Sequence, residues 1–226
     1  MSWLLVALIS AAVTGLVSIS DKFILHRYAK TPLTLLLLVG MPALVVGIVS
    51  LSIAGIPSEA TFATSISAIS SAVLFSFAGI ILVRILYTQE VSRTIPIARS
   101  APIFAALLAF LLLGENISPI QWGGIFIAVL GSALISLRID GDIHGIFLHK
   151  SFYFLMFSAF LTGSGMVTGK LALEELPLLY THGLRMLTLG LIFLSFASRS
   201  EPWTDVKSLF SKRSPALLFV IINECI

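Results

Sequence analysis

Charge is what this chain has least of. Asp, Glu, Lys and Arg together make up 11% of its 226 residues, where a soluble domain carries roughly 25%. So few ionised groups would leave most of a globule uncovered, which excludes a soluble fold. They suffice for the two ends of a bundle whose flanks face lipid. A net charge of +3 and the want of any basic stripe interleaved with aromatics exclude nucleic acid as a partner. The single cysteine, Cys225, rules out an intramolecular disulfide and a cysteine metal cluster. His26, His144, His149 and His182 lack ligand spacing, so neither a metal nor any other cofactor is expected. There is no GxxxxGK[ST] phosphate loop and no HExxH pair. No Lys or Arg precedes Lys22, so the positive segment that opens a cleaved secretory signal is missing too.

Apolar sequence, by contrast, is abundant: 58% of residues, with a mean hydropathy of +1.05. A bilayer-spanning helix needs about 20 mostly apolar residues. That template gives seven full spans, near 3–24, 33–54, 66–88, 95–113, 120–137, 151–173 and 178–197. A partial eighth begins near Ser214 and runs to Ile226, too short to cross. The expected fold is all-α, a polytopic transmembrane bundle whose first partner is the lipid bilayer. The short last run makes a fragment or a truncated product the expectation for the chain.

The connecting segments separate by charge. On the side reached after the first span lie Lys22, Arg27, Lys30, Arg93, Arg138, Lys150, Arg199, Lys207, Lys212 and Arg213. The opposite side holds Glu59, Glu115, Glu174 and Glu175 and no basic residue. Loops rich in Lys and Arg stay in the cytoplasm, so the count puts the N-terminus outside. The residues from 198 to 212 read as the longest connection, and no connection is long enough for a separate soluble domain.

Ser10–Leu25 and Ser158–Leu173 are alike. Ser10/Ser158, Ala11/Ala159, Thr14/Thr162, Gly15/Gly163, Lys22/Lys170 and Leu25/Leu173 match, and the matches include polar residues. Each segment is followed by a proline, Pro32 or Pro177, and a new span. The repeat unit would hold five spans, an odd number, so its two copies must sit in opposite orientation. Two units follow: 1–138, a five-helix repeat, and 150–226, an incomplete second one. Inverted repeats are common in secondary transporters, with the substrate site near the midplane between them.

The most specific stretch lies in the fourth and fifth spans. It reads Glu90-Val91-Ser92-Arg93-Thr94-Ile95-Pro96, then Ser100-Ala101-Pro102-Ile103-Phe104, then Leu113-Gly114-Glu115-Asn116, then Gln121-Trp122-Gly123-Gly124. Together with Asp21-Lys22-Phe23-Ile24-Leu25 at the end of the first span, it resembles the EamA-type transporters of the drug/metabolite superfamily. The resemblance covers one repeat and the start of a second. It implies an exporter of small metabolites, not an enzyme, in the plasma or inner membrane. It also marks Pro102, Gly114 and Glu115 as motif residues. Three departures stand out. The end of the second repeat, with its own proline and Gly-Glu span, is lacking. The basic residue expected eight positions after the loop proline is present as Arg185 after Pro177, but Gly40 stands there after Pro32. The family places its N-terminus in the cytoplasm, against the charge count, which is given the greater weight.

Ionisable residues inside spans are costly and face a cavity, the bundle interior or an interface. Lys22, Arg99, Lys170 and Arg185 are the candidates for a substrate cavity. Each has a plainer reading. Arg99, like Arg84, can reach the headgroups by snorkelling, although it stands between Pro96 and Pro102, where the helix is expected to break. Lys170 can pair with Glu174 four residues on. Glu115 can serve the turn alone, after a Gly114 suited to a helix C-terminus. The small residues Gly165 and Gly169, and Gly124, Ala128 and Ser132, suit either plain packing or sliding surfaces.

Three functions compete. The first is a gradient-driven transporter working by alternating access, whose cavity cations favour anionic or carboxylate-bearing small molecules, amino acids included. The second is a truncated, non-transporting protein or scaffold, for which a homodimer would restore a complete cavity. The third is an intramembrane enzyme. Ser164 would be its nucleophile, but Thr162 stands where a membrane serine protease wants a glycine.

Overall fold

The computed structural model describes residues 3–27, 31–89, 91–136, 150–195 and 200–211. Among the described residues there is no strand, and the elements are helices: α1 (Trp3–Arg27), α2 (Pro32–Ala54), α3 (Phe62–Thr88), α4 (Val91–Ala98), α5 (Ala101–Leu113), α6 (Pro119–Ser136), α7 (Lys150–Glu175), α8 (Leu178–Ser195) and α9 (Ser200–Ser211).

Local chemistry sets the ends. Thr61 caps α3 through a reciprocal pair: Thr64 N–H donates to Thr61 Oγ1 at 3.2 Å, and Thr61 N–H donates to Thr64 Oγ1 at 2.9 Å. At the start of α6, Ser118 N–H donates to Gln121 Oε1 at 2.7 Å. The end of α5 needs Gly114, which takes φ +66° in the left-handed region. The fourth span is interrupted where its prolines foretell. Pro102 has no N–H to give the carbonyl four residues back, so α4 stops at Ala98 and α5 restarts at Ala101, with Arg99 and Ser100 forming the joint.

Among the described residues, five stretches are long and apolar enough to cross a membrane: Pro32–Ala54, Phe62–Thr88, Thr94–Leu113, Lys150–Glu175 and Leu178–Ser195. That is fewer than the seven expected. The first and fifth expected spans are also helical, as α1 and α6, with 25 and 18 residues, but they fall outside those five. The partial span from Ser214 lies outside the described residues. A second correction concerns residues 198–212. They contain α9, whose Pro202 and Glu201 sit in its first turn, as proline and an acidic side chain suit a helix start. It buries Val206 and Leu209 with Leu35, Leu38 and Leu86. Its Asp205, only 4% exposed, accepts a hydrogen bond from Thr34 Oγ1 at 2.8 Å.

The bundle is built around two close helix associations. α2 and α8 run antiparallel, stepping through Gly40–Phe193, Leu44–Gly190, Gly47–Leu187 and Leu51–Gly183. Gly40 and Gly47 are seven residues apart, as are Gly183 and Gly190, so each pair falls on one helix face. A Cβ on Gly47 would stand 2.8 Å from Leu187 Cα, and one on Gly190 would stand 2.8 Å from Leu44 N. Backbone contact this close is available to glycine alone. The second association seats α7 in the groove between α3 and α5. Gly165 and Gly169 of α7 meet α3, and Gly163 meets α5, where a Cβ would lie 2.7 Å from Ala101 O. Gly124 has nothing within 4 Å; the side chains of Ala128 and Ser132 lie outside those described.

Candidate functional site

The four cations come to rest in three places. The first is at the positive end. Lys22, about one turn before the end of α1, extends its ammonium to the C-terminus of α3. It donates to Gln89 O at 2.6 Å and, closely, to Leu86 O. The last carbonyls of a helix have no partner within it and carry its negative pole, so Lys22 caps α3. One turn back on the same face of α1, Ser18 accepts a long 3.5 Å hydrogen bond from Arg99 Nη2, and Asp21 lies within electrostatic reach of that guanidinium. Ser18, Asp21 and Lys22 thus form one stripe that meets both the α3 terminus and the α4–α5 joint.

The second place is at the acidic end. Lys170 of α7 forms a close ion pair with Glu115, just past the end of α5, and both side chains are about half exposed, 52% and 42%. Glu174, the partner that helical spacing suggests, adds only longer-range attraction. Beside this pair opens a cleft of about 360 Å³ between the end of α5 and the start of α6. It is lined by Ala106, Glu115, Asn116, Ile117, Gln121 and Ile125. Pro102 and Gly114 break and end the helices that carry Arg99 and Glu115 to their positions.

The third place holds Arg185, two turns into α8 and half-buried. Its guanidinium carbon lies 4.9 Å from the centre of the Phe75 ring of α3. Its Nη1 is 3.7 Å from where a Cβ on Gly169 would be. Its Nε is buried without an acceptor.

Sequence reasoning found all four cations and the interrupted span. It missed the Gly40/Gly47 and Gly183/Gly190 seams, for which the seven-residue spacing within apolar runs was a usable signal. It also missed Asp205 with Thr34, which no local pattern announces. Among the described residues no group of three His, Cys, Asp or Glu is placed to hold a metal.

The family model for the EamA-like transporter family matches residues 1–137, which is α1 through α6 and more than half the chain. The chain belongs to the EamA-like transporter family. No curated protein and no solved structure matches it. EamA-like membership makes it a membrane transporter of the drug/metabolite superfamily and sets it in a family of transporters, not of enzymes. The joint at Arg99, the Gly114-Glu115 turn and the Lys22 cap all fall inside the matched segment. Lys170 and Arg185 lie beyond it.

Proposed function

We propose that the chain is a secondary transporter that moves a small metabolite out of the cell by alternating access, driven by a gradient. It would sit in the plasma or inner membrane. The observation that carries this reading is the interruption of the fourth span at Arg99–Ser100. Backbone leaves the helix at membrane depth only where protein or a water-filled cavity receives it. Transporters use such half-helix ends, with their oriented dipoles, to hold substrate; at this joint the amides themselves are bonded, Arg99 N–H to Ile95 O at 2.9 Å and Ser100 N–H to Ile97 O at 3.1 Å. Here a guanidinium stands at that joint, with a long hydrogen bond to Ser18 and Asp21 within electrostatic reach.

The halves 1–138 and 150–226 would be the inverted repeats that rock against each other. The antiparallel contact of α2 with α8 supports this, because an axis lying in the membrane plane turns corresponding helices end for end. The contacts of Lys22 and Lys170, repeat-related lysines, with the ends of α3 and α5 lie toward opposite membrane faces, as the same axis requires.

The test is comparative. The chain and its Arg99→Gln variant are expressed at equal membrane abundance in one bacterial host, and small molecules in the medium are measured by mass spectrometry. The expected result is one or a few metabolites that accumulate outside cells with the parent chain and not with the variant. Identical profiles for parent, variant and empty host would overturn the proposal.

A further inference from the structure

Three helices each present a pair of residues four apart to one point in the bundle. α3 brings Ser71 and Phe75, α7 brings Gly165 and Gly169, and α8 brings Thr181 and Arg185. Residues four apart share a helix face, about 6 Å apart along the axis. Contacts join five of the six, and helical spacing puts Thr181 on the same face of α8 as Arg185. Ser71 Oγ donates to Gly165 O at 2.7 Å. A Cβ on Gly165 would stand 3.0 Å from the Phe75 ring, and one on Gly169 would stand 3.0 Å from Ser71 Oγ. Arg185 lies over Phe75 and against Gly169.

Two polar atoms on the α8 face are buried with nothing to bond: Arg185 Nε and Thr181 Oγ1. Thr181 is 1% exposed. A buried donor left without an acceptor is destabilising, more so when charged, so such groups are retained where something completes them. Lys22 and Lys170 have their acceptors in the protein. Arg185 has an aromatic face beneath it and no carboxylate among the described residues. Gly169 leaves bare backbone next to the guanidinium, and the side chain is only half-buried, so the site can be reached.

We infer that Arg185 and Thr181 form the anchor for a carboxylate-bearing small molecule with an apolar remainder, an inference that rests on the transporter reading above. The guanidinium offers a planar fork that a carboxylate meets with two parallel hydrogen bonds, and the Thr181 hydroxyl is a third donor one turn away. A phosphate monoester, with two charges and more oxygens to satisfy, calls for more than one cation. Here one cation is available, since Lys170 next to Gly169 is engaged by Glu115. The Phe75 ring beneath the guanidinium offers the apolar remainder an aromatic surface.

The test reads binding rather than transport. The purified chain is melted in detergent while sodium benzoate replaces sodium chloride at constant ionic strength. The expected result is a saturable rise in Tm for the parent chain, lost in Arg185→Gln with an affinity at least tenfold weaker. Thr181→Val, which keeps the shape, should weaken binding severalfold, and Arg185→Lys, which keeps the charge but not the fork, should restore only part of it. Saturable binding that Arg185→Gln leaves unchanged would overturn the inference, as would no benzoate effect on a parent chain that melts cooperatively. The outcomes separate the two proposals. Benzoate binding through Arg185 with no exported metabolite sinks the transport reading alone. Arg99-dependent export with benzoate binding indifferent to Arg185 sinks the carboxylate anchor alone.

Discussion

Lys22 and Arg185 carry the same charge inside the bundle, and their surroundings use it differently. Lys22 satisfies two carbonyls at the negative end of α3; its removal should loosen that terminus. Lys22→Met is expected to cost about 1–2 kcal/mol, as for a charged hydrogen bond at a helix end, and Lys22→Arg should recover most of it. Unfolding in graded denaturant measures this. A Lys22→Met chain as stable as its parent, yet inactive in export, would return Lys22 to the list of substrate contacts. The positions of the cations were legible from sequence because a charge in an apolar run stands out. Their partners were not. Gln89 is 67 residues from Lys22, and Glu115 is 55 from Lys170. Spacing along a helix reveals neighbours three and four away, which is why Glu174 looked like the natural partner of Lys170. Arg185 kept its standing as a cavity candidate because its burial and lack of an acceptor are tertiary facts that sequence depth only hinted at.

At the scale of elements, glycines with the same apolar surroundings in sequence differ sharply in the bundle. Gly47 lies against the α8 backbone, whereas Gly124 faces open space. Gly47→Leu should force α2 and α8 apart and cost about 3 kcal/mol or more, while Gly124→Ala should be neutral or stabilising by up to about 1 kcal/mol from helix propensity alone. Melting both variants beside the parent decides it; equal losses would mean that the close α2–α8 contact is wrong. The span-four interruption was readable because proline acts through its own backbone. α9 was not, because its polar composition resembles a loop and its apolar face is short, Trp203, Val206 and Leu209. Its attachment rests on Asp205, buried against Thr34. Thr34→Val removes a donor to a buried carboxylate and should cost about 1–3 kcal/mol, detectable as earlier cleavage within 200–211 under limited proteolysis. Unchanged cleavage would show that α9 is held without that bond.

For the whole molecule, composition alone settled that the chain is a helical membrane protein, since 11% charge cannot cover a globule. Which end faces which compartment is expected from loop charge, a property folding does not alter. With Cys225 replaced by serine, Ser58→Cys should react with an impermeant maleimide on intact cells, and Thr204→Cys only after permeabilisation. The reverse pattern would place the ten loop cations outside and favour the orientation usual for the family. The count of crossing helices was harder to read. Five stretches among the described residues are long and apolar enough to cross, and α1 and α6 are helices of the extent expected for the first and fifth spans.

The α2–α8 seam also imposes an order of events during synthesis. Roughly 140 residues separate Gly47 from Leu187, and at about 5–20 residues per second the ribosome needs roughly 7–28 s to supply them. Through that interval α2 sits in the bilayer with its glycine face open to lipid or to an attending chaperone, so the first half matures only after the second has begun to emerge.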